Sequence, residues 1–549
     1  MRIKNKRRPL VIEFSEVRKS FGDHVVLDGI SFTAPDGKVT GLVGPNGAGK
    51  STAFKILLGL LPADSGTCLV DGMPYAQCPN PGNALGVTFG PEWIPPRMTG
   101  EGYLSYVSDL KEYGGERTAV GKRTAAQRKQ EVHDLLALVG LSAAADDKVG
   151  SYSLGMRQRL GLASALVRQP HNLVLDEPVN GLDIEGVRWV RDYLHAAAAS
   201  GRSVLLSSHI LSELEMIADD IVMLSQGRVV RRCARPRTCL RMHMRHNGKT
   251  GKQGMQTNET KSAGMKPTAA QPTGTKPTGP WTRTVAITRA ELHKMMRKRG
   301  GIRSWMMGAC IVGIIMTAVT MAMGHDRELQ ASLGIGVSTV VSSMNSAIIC
   351  VLALAACSYV TREVQDGTIG TAQTIVPARG ALFAARLLAW SAIATAMILG
   401  ASVASSLVAL ADRATRHGSV AGVAATVCAN IMVAWVVLAF AHCLALALGR
   451  GASVVAVLFL LFAVIPLVLF IVGVVVLGAP QWVSRINAAM PGHLMMAALN
   501  TPGDGGPLAA SGRWGKVWSS AGWLACWSVA AGVAAFTRFR SPLYGEPKA

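Results

Sequence analysis

The chain has 549 residues, of which 49% are hydrophobic and only 16% are charged. This composition excludes a disordered chain and a small disulfide-stabilised scaffold, and the length is sufficient for several structural units. The formal net charge of +22 suggests an anionic partner, either nucleic acid or a membrane surface, depending on where the charge lies.

The excess of positive over negative charge comes from two segments. Residues 1–10 contain five Lys or Arg and no acid, and residues 228–303 contain 19 Lys or Arg against Glu259 and Glu291. The remaining residues contain 32 Lys or Arg and 32 Asp or Glu, so the net positive charge of the chain equals the excess in these two segments. The pattern therefore disfavours a charged surface for reading nucleic acid.

Composition divides the chain into an N-terminal domain, a linker and a membrane part. Residues 11–230 alternate short β-branched runs with helical stretches, which is typical of an α/β domain with a mostly parallel sheet. Residues 231–282 are rich in Arg and then in Lys, Thr, Gly and Pro, and we predict a solvated linker. An amphipathic interfacial helix is predicted over 283–304 and an all-α transmembrane domain over 305–540.

A phosphate-binding loop is the strongest local signal. The run Gly44-Pro45-Asn46-Gly47-Ala48-Gly49-Lys50-Ser51-Thr52 fits G-x-x-x-x-G-K-[ST]. It follows an apolar strand and precedes a helical run, as the motif requires. Backbone N–H groups and the helix N-terminus then surround the phosphates, Lys50 reaches the β- and γ-phosphates, and the Ser51 hydroxyl ligates magnesium.

Two acidic residues follow a second apolar strand. Asp176 and Glu177 come directly after the run 173–175. At the phosphate side of a parallel sheet, Asp176 is placed to hold magnesium and Glu177 to polarise an attacking water. Taken alone, an acid pair that caps a turn before Pro178 would be the simpler interpretation, but Lys50 and Ser51 upstream favour the catalytic one.

Further motifs resemble the ATP-binding domain of ABC transporters over residues 11–230. Tyr152-Ser153-Leu154-Gly155-Met156 lies where that family has its L-S-G-G-Q signature, with Ser153 and Gly155 matching. Residues 180–183 resemble the D-loop, which ends at Asp183, and 207–209 resemble the segment that ends at the switch histidine, His209. Phe21 occupies the position of the aromatic residue that stacks on adenine in the family.

The resemblance implies an α/β P-loop ATPase domain with a helical signature subdomain, and ATP and magnesium as cofactors. Glu177 and His209 would be catalytic, Asp176 and Ser51 would hold the metal, and the nucleotide would be bound by the phosphate loop together with Phe21, Ser153, Gly155 and Asp183. Ser153 as a helix N-cap, Phe21 as core filler and His209 as a structural residue are the alternatives. The family's Q-loop glutamine is absent, since no Gln occurs between Gln77 and Gln127; Gly90 fills the slot, with Glu92 two residues on.

Six apolar segments without Asp, Glu, Lys or Arg follow the linker, and each reaches or approaches the length that crosses ~30 Å of hydrocarbon. The predicted spans are 305–323, 331–360, 387–411, 419–448, 452–478 and 517–536. With the N-terminus inside, the flanks place 14 Lys or Arg on the cytoplasmic side and six outside. We therefore predict a multi-pass protein of the cell membrane with the ATP-binding domain and both termini in the cytoplasm.

The loop after the second predicted span resembles that of type-2 ABC permeases. It contains E-x-x-x-G-T at 363–368, P-x-R at 377–379 and A-[KR] at 385–386. The two resemblances imply a half-transporter similar to drug or bacteriocin-resistance exporters, which uses ATP to export a hydrophobic or amphipathic compound.

The expected partners are a second half-transporter, as homodimer or heterodimer, the lipid bilayer and a small hydrophobic or peptide cargo, but no nucleic acid. The dimer is implied because each ATP in the family lies between the Walker motifs of one subunit and the signature of the other. Two alternative functions belong to classes other than exporters. One is a membrane-bound ATPase that senses or displaces a toxin without translocating it. The other is a nucleic-acid-binding ATPase that uses residues 231–252 as its basic patch.

Overall fold

The fold was obtained as a computed structural model of the chain. It describes residues 11–113, 124–234, 280–296, 302–325, 336–412, 415, 419–449, 457–458 and 512–540. The chain divides into two compact units. The first comprises Met1–Pro91, Thr99–Arg283 and Thr374–Pro377, and the second comprises Glu92–Met98, Thr284–Gln373 and Ala378–Ala549.

Two β-sheets organise the described part of the first unit. Its strands are β1 (Val11–Phe21), β2 (His24–Pro35), β3 (Val39–Val43), β4 (Ser65–Val70), β5 (Leu85–Thr88), β6 (Asn172–Leu175), β7 (Ser203–Ser208), β8 (Asp220–Ser225) and β9 (Arg228–Ala234). The smaller sheet has the order β2-β1-β4 and is antiparallel. The larger has the order β5-β6-β7-β3-β8-β9, in which all neighbours are parallel except β8 and β9.

The central strands β3, β6 and β7 are buried along their whole length. Near-continuous runs of Val and Leu are expected there, because a parallel sheet is covered on both faces. The helices of this unit are α1 (Lys50–Leu57), α2 (Pro81–Ala84), α3 (Gly100–Tyr113), α4 (Ala125–Leu138), α5 (Leu154–Leu166), α6 (Ile184–Ala199) and α7 (Leu211–Ile217). Helices α3, α4 and α5 pack together, as the predicted helical signature subdomain requires.

The predicted α/β fold of the N-terminal domain is confirmed. Strand β9 continues to Ala234, four residues beyond the predicted end of the domain at 230. The rest of the predicted linker, 235–279, lies outside the described residues.

The later part of the chain is helical in all its described elements. They are α8 (Pro280–Met296), α9 (Ile302–Gly324), α10 (Val337–Gln365), α11 (Thr368–Ile375), α12 (Arg379–Ala411), α13 (Val420–Leu448) and α14 (Gly512–Arg540). Helix α8 begins at Pro280, just before the predicted interfacial helix 283–304, and ends within that range at Met296. Helix α9 begins at Ile302, which also lies within the predicted range.

Four of these helices, α9, α10, α12 and α13, are long and apolar enough to cross a membrane, with mean hydropathy of 2.0 to 2.5. They correspond to the first four predicted spans. The fifth predicted span, 452–478, lies outside the described residues except for 457–458. The sixth, 517–536, falls on the 29-residue helix α14, which does not belong to those four. The total of six spans stays a prediction.

Helix α10 is the most buried of the four, and it packs against α9, α12 and α13. The Asn345 side chain on α10 donates a hydrogen bond to the Ser402 hydroxyl on α12 at 2.9 Å. Polar pairs of this kind hold apolar helices together where water is absent. Asn345 is therefore a helix-contact residue in this structure.

Candidate nucleotide site

Three adjacent parallel strands bring the predicted catalytic motifs to one edge of the large sheet. Strands β6, β7 and β3 are neighbours in register, with Leu175 opposite Leu206 and Val43 opposite Ser208. The phosphate loop follows β3, the acid pair follows β6 and His209 follows β7. Ligands of open α/β sheets bind at the carboxyl ends of the strands, so the sheet order itself assembles the site.

The phosphate loop needs glycine at two places for different reasons. A Cβ on Gly44 would lie 2.3 Å from the Leu224 carbonyl oxygen, so only glycine fits between β3 and β8. Gly49 has a φ of +101° and directly precedes helix α1, and a Cβ there would lie 2.5 Å from Leu27. These positions let the backbone turn sharply, and α1 then begins at Lys50 with its N-terminus at the loop.

Lys50 lies within the curve of the loop. Its ammonium donates to the carbonyl oxygens of Gly44 at 2.6 Å and Pro45 at 3.2 Å, and the residue is 6% exposed. Burial lowers the pKa of this ammonium, although the carboxylates of Glu177 and Asp176 act in the opposite direction. Among the described contacts, no carboxylate lies at bonding distance from this ammonium, so the ammonium is suited to bind a phosphate.

Ser51 and Asp176 present the oxygen atoms expected of a magnesium site. The Ser51 hydroxyl donates to Asp176 Oδ2 at 2.7 Å. Mg²⁺ is usually held by one or two such protein oxygens and completed by phosphates and water, so this pair fits the ion. Among the described residues, no group of three or more His, Cys, Asp or Glu side chains is arranged to hold a metal ion on its own.

Glu177 and His209 face each other next to that pair. His209 Nδ1 lies 2.6 Å from Glu177 Oε2, and both side chains keep partial exposure, 37% and 26%. Glu177 adopts a left-handed backbone conformation, with φ of +49°. Such a conformation costs a non-glycine residue about 1–3 kcal/mol and is concentrated at functional sites. The structure thus brings together the predicted residues Lys50, Ser51, Asp176, Glu177 and His209.

Two residues that hydrogen-bond to the main chain of Glu177 received no role from the sequence, although one of them, Ser207, belongs to the segment 207–209. The buried Ser207 hydroxyl accepts a hydrogen bond from the Glu177 N–H at 3.0 Å and donates to Asp176 Oδ1. The Gln158 side chain on α5 donates to the Glu177 carbonyl at 2.8 Å. Two features of the sequence could have indicated these residues. Ser207 is a serine inside a buried strand, and Gln158 is a polar residue on the apolar face of α5, in line with Leu162 and Ala165.

The signature residues lie at the start of α5. Ser153 is the N-cap of this helix, and its hydroxyl accepts from the Met156 N–H at 3.2 Å. Gly155 approaches the Gly181 carbonyl, since a Cβ on it would lie 3.2 Å from that oxygen. In a single chain Ser153 therefore has the capping role, and its contact with a nucleotide of the opposite subunit stays a prediction.

Asp183 and Phe21 lie at the surface of the first unit. Asp183 caps helix α6 by accepting from the Gly186 N–H at 2.9 Å, and Arg159 lies 3.2 Å away. That N–H and the Arg159 guanidinium lower the pKa of Asp183. Phe21 ends β1 with 43% exposure, with the Lys19 ammonium 5.5 Å from its ring centre. An exposed ring is what adenine stacking needs, whereas core filler would be buried.

Comparisons with known proteins agree with this geometry. The family described as ABC transporter matches residues 27–180. A chain described as an uncharacterised ABC transporter ATP-binding protein of Bacillus subtilis (strain 168) is 36% identical over 225 residues, which cover 40% of this chain and 68% of that protein. The lantibiotic transport ATP-binding protein of Streptococcus pyogenes is 32% identical over 40% of this chain and 89% of its own length. The Nod factor export ATP-binding protein I of Paraburkholderia xenovorans (strain LB400) is 35% identical over 40% of this chain and 69% of its own length.

Proposed function

The chain belongs to the ABC transporter family, and on that premise we propose that it is a half-transporter that uses ATP to export a hydrophobic or amphipathic compound across the cytoplasmic membrane. It is an ABC transporter ATPase. One observation carries the proposal: a single chain contains both the ATPase site and four helices that are long and apolar enough to cross a membrane. An ATPase that only served a separate channel would not need those helices.

The residues of the site support ATP hydrolysis as the driving reaction. Lys50 would bind the β- and γ-phosphates, and the oxygens of Ser51 and Asp176 would hold magnesium, which neutralises phosphate charge when bound. Glu177 would accept a proton from the attacking water, and His209 would orient the Glu177 carboxylate through the 2.6 Å contact. Product release would then reset the helices for another cycle.

The direction of transport and the cargo class rest on two kinds of support. Two relatives carry names that describe lantibiotic transport and Nod factor export. The four candidate spans contain few charged residues, which suits an apolar or amphipathic cargo better than an ion. We propose six spans in total, with the ATPase domain and both termini in the cytoplasm, and a dimer in which each nucleotide contacts both subunits.

Transport assays in inverted membrane vesicles test the proposal. Vesicles that contain the full chain should accumulate a labelled lantibiotic, or one of a panel of fluorescent hydrophobic dyes, when ATP is added. Glu177→Gln should abolish both accumulation and hydrolysis, because a neutral amide does not accept the proton. Glu185→Gln makes the same change on the exposed first turn of α6 and should behave like wild type.

Two outcomes would contradict the proposal. Accumulation that persists in the Glu177→Gln variant would exclude ATP-driven export. Hydrolysis that depends on Glu177 without accumulation of any probe would favour the alternative, a membrane-bound ATPase that senses or displaces a toxin.

A further inference from the structure

The main chain of Glu177 is held on both sides in a conformation that it would not adopt alone. Its φ of +49° lies in the left-handed region, which a residue with a Cβ rarely occupies. A backbone of this kind persists only where the surroundings determine it. The contacts of the two peptide groups that flank Glu177 therefore matter for the position of its carboxylate.

The N–H side is fixed by strand β7. The Glu177 N–H donates to the Ser207 hydroxyl at 3.0 Å, and that hydroxyl also contacts Asp176. Both partners belong to the carboxyl edge of the sheet. This contact joins the catalytic glutamate to the proposed metal site.

The C=O side is fixed from a different part of the domain. The Glu177 carbonyl accepts from the Asn180 N–H at 3.2 Å, a local turn contact, and from Gln158 Nε2 at 2.8 Å. Gln158 is 2% exposed and lies on α5, the helix that Ser153 caps. Because a carbonyl oxygen only accepts, the Gln158 amide must point its nitrogen toward Glu177.

We propose that Gln158 is a positioning residue for ATP hydrolysis: from the signature helix it holds the main chain of Glu177 so that the carboxylate stays beside His209. The inference rests on the proposed role of Glu177 and adds a residue that acts through the main chain of Glu177. Losing the contact lets the residue relax toward an ordinary backbone conformation, which moves the carboxylate away from the attacking water. Misplacement by about 1 Å is enough to reduce a rate about a hundredfold.

The substitution Gln158→Glu tests the donor directly in the full-length protein. An ionised carboxylate repels the Glu177 carbonyl, whereas a protonated carboxyl donates to it as the amide does. We expect kcat for ATP hydrolysis to fall about tenfold to a hundredfold at pH 8.5, with the KM for ATP little changed. The ratio of variant to wild-type kcat should rise as the pH falls toward 6, because the carboxyl becomes protonated.

Gln158→Leu and Gln130→Glu complete the design. Gln158→Leu keeps a similar volume but has no donor, so its kcat should stay low relative to wild type at every pH. Gln130 lies exposed on α4 and contacts Asp134, so Gln130→Glu repeats the chemical change at an exposed position of another helix and should follow wild type. Binding of a fluorescent ATP analogue establishes that each variant is folded.

The outcomes separate the inference from the function on which it rests. If Glu177→Gln hydrolyses ATP like wild type, the role of Glu177 is wrong. If Glu177→Gln is inactive but Gln158→Leu keeps the wild-type kcat, Gln158 does not position Glu177. A flat pH ratio for Gln158→Glu would equally overturn the inference, since simple damage to packing has no reason to reverse on acidification.

Discussion

The carboxylate of Asp176 is fixed by two hydroxyl groups. Ser51 donates to one oxygen and Ser207 to the other. The orientation of the carboxylate is thus set by the phosphate loop on one side and by strand β7 on the other. Ser51 and Asp176 were predicted from motif spacing, but Ser207 was not, because a serine at the end of a buried strand has no spacing that distinguishes it from core packing.

A buried lysine in the helical subdomain was also invisible to the sequence. Lys111 on α3 is 3% exposed, and its ammonium donates to the carbonyls of Val167 at 3.0 Å, Ala165 at 3.3 Å and Ser164 at 3.4 Å. These carbonyls lie at the C-terminal end of α5, where helices favour a positive charge. Burial nevertheless lowers the pKa of Lys111 to about 7.

We predict that Lys111 makes the stability of the ATPase domain rise with pH between about 7 and 10. In the unfolded chain this lysine keeps its ordinary pKa near 10.4, so over that interval the unfolded state binds more protons than the folded state. Thermal unfolding of the full chain should show the melting temperature of wild type rising relative to Lys111→Met across the interval. A constant difference between the two proteins would show that Lys111 does not titrate there.

Four charged side chains join three helices of the second unit. Lys294 on α8 lies 2.6 Å from Glu291 and 2.5 Å from Glu363 on α10, and Arg386 on α12 lies 3.2 Å from Glu363 and 3.6 Å from Glu291. All four side chains are at most 8% exposed. In these contacts two acids are paired with two bases, and burying charges is tolerated where they are paired.

We predict that breaking this cluster destabilises the second unit. Lys294→Met removes one cation and leaves an uncompensated buried charge, which costs about 3–5 kcal/mol. The melting temperature of the detergent-solubilised protein should fall clearly. The double variant Lys294→Met/Glu291→Gln is neutral again and should recover much of the loss, whereas Arg289→Met, on the exposed face of α8, should have a small effect. Equal losses in the single and the double variant would contradict this interpretation.

Glu363 and Arg386 show which features of the helices sequence patterns predict and which they do not. Their spacing resembles a permease loop, and apolar run lengths predicted the helices around them. The pairing with Glu291 and Lys294 depends on how α8, α10 and α12 pack, and that information is not local. The phosphate loop could be predicted more fully than this cluster, because its strand, loop and helix are contiguous in the sequence and the motif alone specifies the local geometry.

The N-terminal domain was predictable in its α/β fold, and the order of motifs along a parallel sheet predicts which strand ends meet, whereas the roles of the residues at those ends stay predictions. The membrane half was predictable only as a set of apolar helices. Hydrophobic segments specify that a helix crosses the bilayer, but they do not specify its neighbours. Strand β9 extends past residue 230, where the first domain was predicted to end, and it is basic and mostly exposed, so its composition resembles that of a linker.

Mixing two variants tests whether two chains share each nucleotide site. If each nucleotide contacts Lys50 of one subunit and Ser153 of the other, Lys50→Ala and Ser153→Arg homodimers have no intact site. In a mixed dimer of the two variants, one nucleotide site contains both substitutions and the other nucleotide site contains neither. In the Glu177→Gln background, which prevents hydrolysis, we expect neither homodimer to retain ATP after gel filtration, while affinity-purified mixed dimers retain about one ATP for every two chains. If each chain instead forms its site alone, every site in the mixed dimer contains one damaged residue. Mixed dimers that retain no ATP would therefore contradict the shared site.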